Sequence, residues 1–242
     1  MDIKIPIKTL LGTLCQLVRS RAFVTACAVM LPYAGVIFGL DIAYHYGKLT
    51  GAALPVQFCL SVDRGLGEWY EYALTSAVAI MMLIMALWEG AAAYYATSAL
   101  FVWLTLDNSI EFHERAGEFL APYIPNIPGV PVDGAHIGEF LAMSAVAGLW
   151  LICLFFSLRA SRGKAVVNVL ILAGFVAVGA GFGIFDDFIN SWLAETGLAE
   201  QVSDFVEDGG EHLAILACAI MAATMFDSAW RNRKTGGGLA SS

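Results

Sequence analysis

The sequence predicts an all-α bundle that crosses a bilayer about six times, because apolar blocks of roughly 20 residues recur along it. Two further observations point the same way. The 242-residue chain is 59% hydrophobic and only 14% charged, where a soluble domain carries about 25% charged residues. Short alternating strands of about 10 residues, which would signal a β-barrel, are missing. Backbone amides inside hydrocarbon need internal partners, so the crossings are expected to be helices.

The elements follow in order. Residues 3–19 place Ile7, Leu10, Leu11, Leu14, Leu17 and Val18 on one helical face, away from Lys4, Lys8 and Arg19. That pattern predicts an amphipathic helix on the membrane surface. No small-x-small cleavage site follows it, which disfavours a signal peptide. The first span is expected at 22–40, kinked at Pro32. The second starts near Trp69–Tyr72 and ends near Trp88, and the third covers 91–107. One helix through 73–106 would be about 50 Å long, too long for a single crossing. A tight hairpin at Glu89 and Gly90 is therefore expected. The fourth, fifth and sixth spans are placed at 137–158, 165–185 and 209–228. The organisation is then an interfacial helix at 1–21, a bundle at 22–234 and a flexible Gly/Ser-rich tail at 235–242. PYIPNIPGVP, with Pro122, Pro125, Pro128 and Pro131, is expected to be a stiff polyproline rim. Residues 188–205 are expected to form an outer interfacial helix.

Basic residues orient the bundle. With both termini inside, the inner segments hold Lys4, Lys8, Arg19, Arg21, Arg159, Arg162, Lys164, Arg231, Arg233 and Lys234, as the positive-inside rule requires. Of the acids, only Asp2, Glu89 and Asp227 fall inside. All four histidines fall outside. The expected location is a bacterial inner membrane, with the lipid bilayer as the main partner.

Three clusters collect at outer span ends. LDNSIEFHERAGEF carries Asp107, Glu111, His113 and Glu114, FDDFINSW carries Asp186 and Asp187, and FVEDGGEHLAI carries Glu207, Asp208, Glu211 and His212. If the third helix continues past Leu106, Asp107, Glu111, Glu114 and Glu118 share one stripe. Like charges at that spacing repel and call for a counter-ion. On the sixth helix Glu207 and Glu211 share a face, as do Asp208 and His212. Helix capping accounts for acids at an N-terminus such as Glu207 and Asp208, but not for Asp107, Asp186 and Asp187 near C-termini. These ten residues are the candidate metal ligands, expected to converge on one outer site. His with carboxylates suits Zn, Fe or Mn, and carboxylates alone suit Ca.

Other chemistry is not expected. There is no intramembrane Lys for retinal, no mid-membrane His for haem and no nucleotide-binding Gly loop. Glu-x-x-His and Gly-x-Ser-x-Gly are also absent. The five cysteines form no Cys-x-x-Cys and are read as small apolar residues. Nucleic acid is not expected as a partner.

The segments LDNSIEFHE and FVEDGGEHLAI resemble a pattern in uncharacterised multi-pass bacterial membrane proteins. Their pattern has paired acids, then His-Glu, then Glu-Asp-Gly opening the last helix. Asp107, His113, Glu114, Glu207, Asp208 and Gly209 match it, and Asn108 replaces the second acid. The resemblance implies that these positions belong together, and no activity. Three functional readings remain at this stage. One is a metal- or cation-binding protein at the outer face, extendable to an enzyme on a lipid or small molecule. The others are a non-catalytic subunit docking other membrane subunits or a basic soluble partner, and a cation or proton transporter.

Overall fold

The computed structural model describes residues 6–125, 133–190 and 198–237, with only the backbone for 184–190, 199, 200, 236 and 237. Among them the secondary structure is helical. The elements are α1 (Ile7–Val18), α2 (Arg21–Thr50), α3 (Leu66–Glu89), α4 (Ala92–Ile110), α5 (Phe112–Leu120), α6 (Gly134–Ala160), α7 (Lys164–Asn190) and α8 (Leu198–Gly237). Short 3-10 turns occupy Val56–Phe58 and Ala121–Tyr123.

Local chemistry sets several boundaries. Ser20 caps α2 by accepting from the Phe23 amide at 3.1 Å, and Gly51 closes it in the left-handed conformation. Asp133 caps α6, accepting from the Ala135 and His136 amides. Those amide bonds and the His136 ring hold the Asp133 carboxyl below the usual range, the His136 amide contributing most. Gly90, at φ 63°, ends α3, and α4 starts two residues later. The expected hairpin at Glu89–Gly90 is thus present. A residue with a Cβ would be strained there.

α8 is the central helix. In its apolar stretch 56% of the residues are buried, against 11% in α2 and in α6. α2, α3 and α7 pack on it, α4 pairs with α3, and α6 covers α4. The core holds Met82, Met85, Tyr94, Phe101, Leu172 and Met225. Polar links cross between helices. Ser98 donates to the Ala79 carbonyl (2.8 Å), Asn168 Nδ2 to Tyr94 Oη (2.9 Å), Trp150 Nε1 to the Ala96 carbonyl (3.0 Å), and the Ala93 amide to Ser161 Oγ (2.9 Å). In an apolar surround such bonds fix helix register, each worth about 0.6 kcal/mol. α5 docks on α6 through two glycines, since a Cβ on Gly138 would lie 2.9 Å from the Gly117 Cα.

Several expectations are revised. Among the described residues five helices, α2, α3, α6, α7 and α8, are long and apolar enough to cross a membrane. The expected third span, α4, falls short because Tyr, Thr, Ser, Asp and Asn dilute its 19 residues. It nevertheless runs antiparallel to α3, so α2 to α8 still alternate in direction once α5 is set aside. The first span does not end at 40, because α2 continues to Thr50. The last does not start at 209, because α8 runs from Leu198 through Gly237 as one 40-residue helix. Ser203, Asp204 and Phe205, assigned to a separate interfacial helix, therefore belong to α8, and 191–197 lie outside the described residues. Thr235 extends α8 rather than opening a tail, and 238–242 lie outside the description. Pro122 sits in a 3-10 turn rather than a polyproline rod, and Pro128 and Pro131 lie outside the described residues.

The single acidic stripe after Leu106 does not form. Glu111 adopts the left-handed conformation at φ 54°, which breaks α4 from α5. Its carboxylate is held by Arg64 (3.3 Å) and Arg115 (3.2 Å). Turning the chain there separates the carboxylates that a continuous helix would have stacked.

Candidate metal centre and acidic cavity

Two adjoining sites occupy the acidic end of the bundle. The deeper one starts on α2, where Asp41 and His45 are one turn apart and face inward. Asp41 is fully buried and His45 is 6% exposed. The loop after the 3-10 turn at Val56–Phe58 brings in Cys59, which is 3% exposed. The loop is anchored by the residue it presents next, since the Leu60 amide donates to Asp41 Oδ1 at 2.9 Å. One donor atom from each of Asp41, His45 and Cys59 lies within 4.8 Å of the others.

Hydrogen bonds orient this set. From α8, Gln201 Oε1 faces His45 Nδ1 at 2.7 Å. A carbonyl oxygen there accepts from Nδ1–H, which turns Nε2 toward Asp41. Nε2 lies 3.3 Å from Asp41 Oδ1, and neither Nε2 nor Asp41 Oδ2 has a hydrogen-bond partner. Two buried polar atoms this close need a positive charge between them, which a proton on Nε2 or a bound cation can supply. Cys59 Sγ touches Ser61 Oγ at 3.1 Å. Burial pushes the thiol up most, the Ser61 bonds oppose it, and the carboxylates of Asp41 and Asp208 add to the rise.

Above this set lies a cavity of about 140 Å³. Asp63, Glu68, Glu71, Glu114, Asp208 and Glu211 line it together with His113 and Asn108, and among the described residues no Lys or Arg does. Leu60 and Ser61 form part of its wall, so it adjoins Cys59. Tyr72 Oη donates to the Asn108 carbonyl at 3.1 Å, tying α3 to α4 at the wall.

The ten sequence-predicted ligands divide as follows. His113, Glu114, Asp208 and Glu211 line the cavity. Asp107 stands behind His113. It is 1% exposed, accepts from the His113 amide (3.2 Å) and meets His113 Nδ1 (3.0 Å). That bond is the largest cause of the raised His113 pKa, with burial opposing it. Burial first, then the charge of Asp63, pushes the Glu114 carboxyl up. His212 is fully buried behind the wall, its Nδ1 2.9 Å from Glu71 Oε1 and its ring against Phe38 and Tyr70. Glu111 is in the salt-bridged corner, and Glu207 is not among the lining residues. Asp186 and Asp187 lie on the last turns of α7, their side chains outside the description.

None of the ten belongs to the Asp41–His45–Cys59 set, and Asp63, Glu68 and Glu71 were also missed. One signal was readable. Asp41 and His45 have the same four-residue spacing as Asp208 and His212, but ending the first span at 40 put them in a loop.

A family described as a domain of unknown function, DUF8692, matches residues 21–225. The chain belongs to that family. The DUF8692 region opens at the first residue of α2 and takes in the metal-ligand set, Gln201 and the whole acidic cavity. It agrees with the resemblance drawn from LDNSIEFHE and FVEDGGEHLAI at the level of a family without an assigned activity. No curated protein and no solved structure matches the chain.

Proposed function

We propose that the chain is an integral membrane protein that binds one transition-metal ion through Asp41, His45 and Cys59 at the outer end of its bundle. The membrane reading rests on the five apolar helices and on their lipid-like exterior, where Val29, Val36, Leu149, Ile152, Phe156 and Val178 are exposed. The single observation that carries the metal reading is the convergence of buried donor atoms from Asp41, His45 and Cys59, with His45 Nε2 and Asp41 Oδ2 lacking hydrogen-bond partners among the described residues and the other His45 nitrogen engaged by Gln201. A ligating histidine is oriented in just this manner by a partner on its second nitrogen.

The donor set selects the ion. One imidazole, one carboxylate and one thiolate suit Zn or Fe, and the sulfur disfavours Ca. Three protein donors leave a fourth position for water or substrate, the pattern of catalytic rather than structural zinc. The acidic cavity above is a cation-attracting antechamber, because clustered charge in a low-dielectric cleft raises local cation concentration.

Elemental analysis of detergent-purified protein tests this. Wild type is expected to hold stoichiometric metal, Asp41→Asn, His45→Ala and Cys59→Ser to lose it, and a His113→Ala, His212→Ala double variant to keep it. Loss only in the double variant would move the site to the cavity. Well-folded wild type free of metal would favour the subunit reading and a search for co-purifying partners. Recovery of the protein in the soluble fraction would overturn the membrane reading on its own.

A further inference from the structure

The opposite end of the molecule has a second cavity, of about 310 Å³, between α1, the start of α2, the start of α7 and the end of α8. Three cations line it, Arg21, Lys164 and Arg231, with one acid, Asp227. Arg231 Nε already holds Asp227 Oδ2 at 2.7 Å. Lys164 Nζ donates to Ser228 Oγ at 2.6 Å, which leaves that hydroxyl hydrogen free to donate inward. Arg21 has no ion-pair partner among the described residues. The cavity therefore carries more cations than acids, with Thr13, Gln16 and Ser20 adding neutral polar groups to its wall. Leu17 and Ala22 add an apolar portion to its wall.

We infer that this cavity binds a phosphate group, and that its source is the headgroup of an anionic phospholipid. The phosphate follows from the donors, since guanidinium forks and ammonium groups match its oxygens. The lipid source follows from place. The cavity opens beside α1, whose Ile7, Leu11 and Val18 are exposed, as in a helix lying in the interface. Basic pockets between helices at the cytoplasmic side are a recognised form of headgroup site. The lipid source rests on the membrane reading above, whereas neither part of the inference depends on the metal centre.

The test uses the full chain in detergent, titrated separately with short-chain phosphatidylglycerol, short-chain phosphatidylcholine and inorganic phosphate, with thermal melting as readout. Phosphatidylglycerol is expected to stabilise wild type, and the other two are not. In Arg21→Gln and Lys164→Gln the apparent affinity falls about fivefold each, from roughly 1 kcal/mol per cation. Lys8→Gln, outside the cavity, keeps the wild-type response and controls for general surface charge. Equal stabilisation by inorganic phosphate would overturn the lipid source and retain the phosphate site. A wild-type response in Arg21→Gln and Lys164→Gln, both folded by circular dichroism, would overturn the site. Membrane fractionation of the cell extract separates either failure from a failure of the membrane reading.

Discussion

In the proposed metal site, Gln201 Oε1 orients His45 through its Nδ1. Gln201→Leu keeps the volume and removes the acceptor. Its metal affinity is expected to fall about 10–100-fold, the usual effect of losing such a partner, measured by competition with a chromophoric chelator. His113 reports a different property. Its pKa is raised by Asp107, so the protonated ring stabilises the fold. That contribution is complete below the ring's ordinary value and is lost as pH rises through the raised one. The melting-temperature gap between wild type and His113→Asn should therefore be wider at about pH 6 than at about pH 9. Glu111 tests backbone strain. A left-handed non-glycine residue costs about 1–2 kcal/mol, while its exposed partners return about 0–1 kcal/mol. Glu111→Gly is thus expected to melt at or above wild type and Glu111→Val below it. Of these residues, His113 and Glu111 were visible as chemistry in the sequence, but their geometry was not. Nothing about a glutamate announces a positive φ. Cys59 reaches Asp41 only because the Leu60 amide anchors its loop, a tertiary bond with no local signature.

Elements were read best where one physical term dominates. Apolar blocks located α2, α3, α4, α6 and α7, and Glu-Gly between α3 and α4 marked the turn at Gly90. Helix ends were read worst. Asp41, His45 and Gln201 are polar residues on buried helical turns, satisfied by the His45–Gln201 bond and by the Leu60 amide that reaches Asp41. Read singly, each looks like loop. The α5–α6 contact makes a prediction at this scale. Gly138 leaves no room beside Gly117 and Leu120. Gly138→Leu should cost about 1–3 kcal/mol through overpacking. The loss should appear as a lower melting temperature and as faster proteolysis of α5. An equally bulky change at Gly148, which has open space around it, should leave both unchanged apart from a small propensity effect.

The whole molecule is polarised. Cations gather at the end where α1 crosses α7 and α8, and carboxylates gather at the other. The charge sorting was legible because it is a property of whole segments and not of single contacts. Which residues meet inside each end was not legible, because it depends on how five helices and a loop are rotated about their axes. One helix joins the two ends. α8 supplies Gln201, Asp208 and Glu211 at the acidic end and Ser228 and Arg231 at the basic end, without a break. The 30 residue steps from Gln201 to Arg231 span about 45 Å of continuous helix. Such a rod is stiff to torsion and stretch. Both ends of the protein are therefore attached to one helix, so a shift of α8 along its axis would displace Gln201 and Arg231 together.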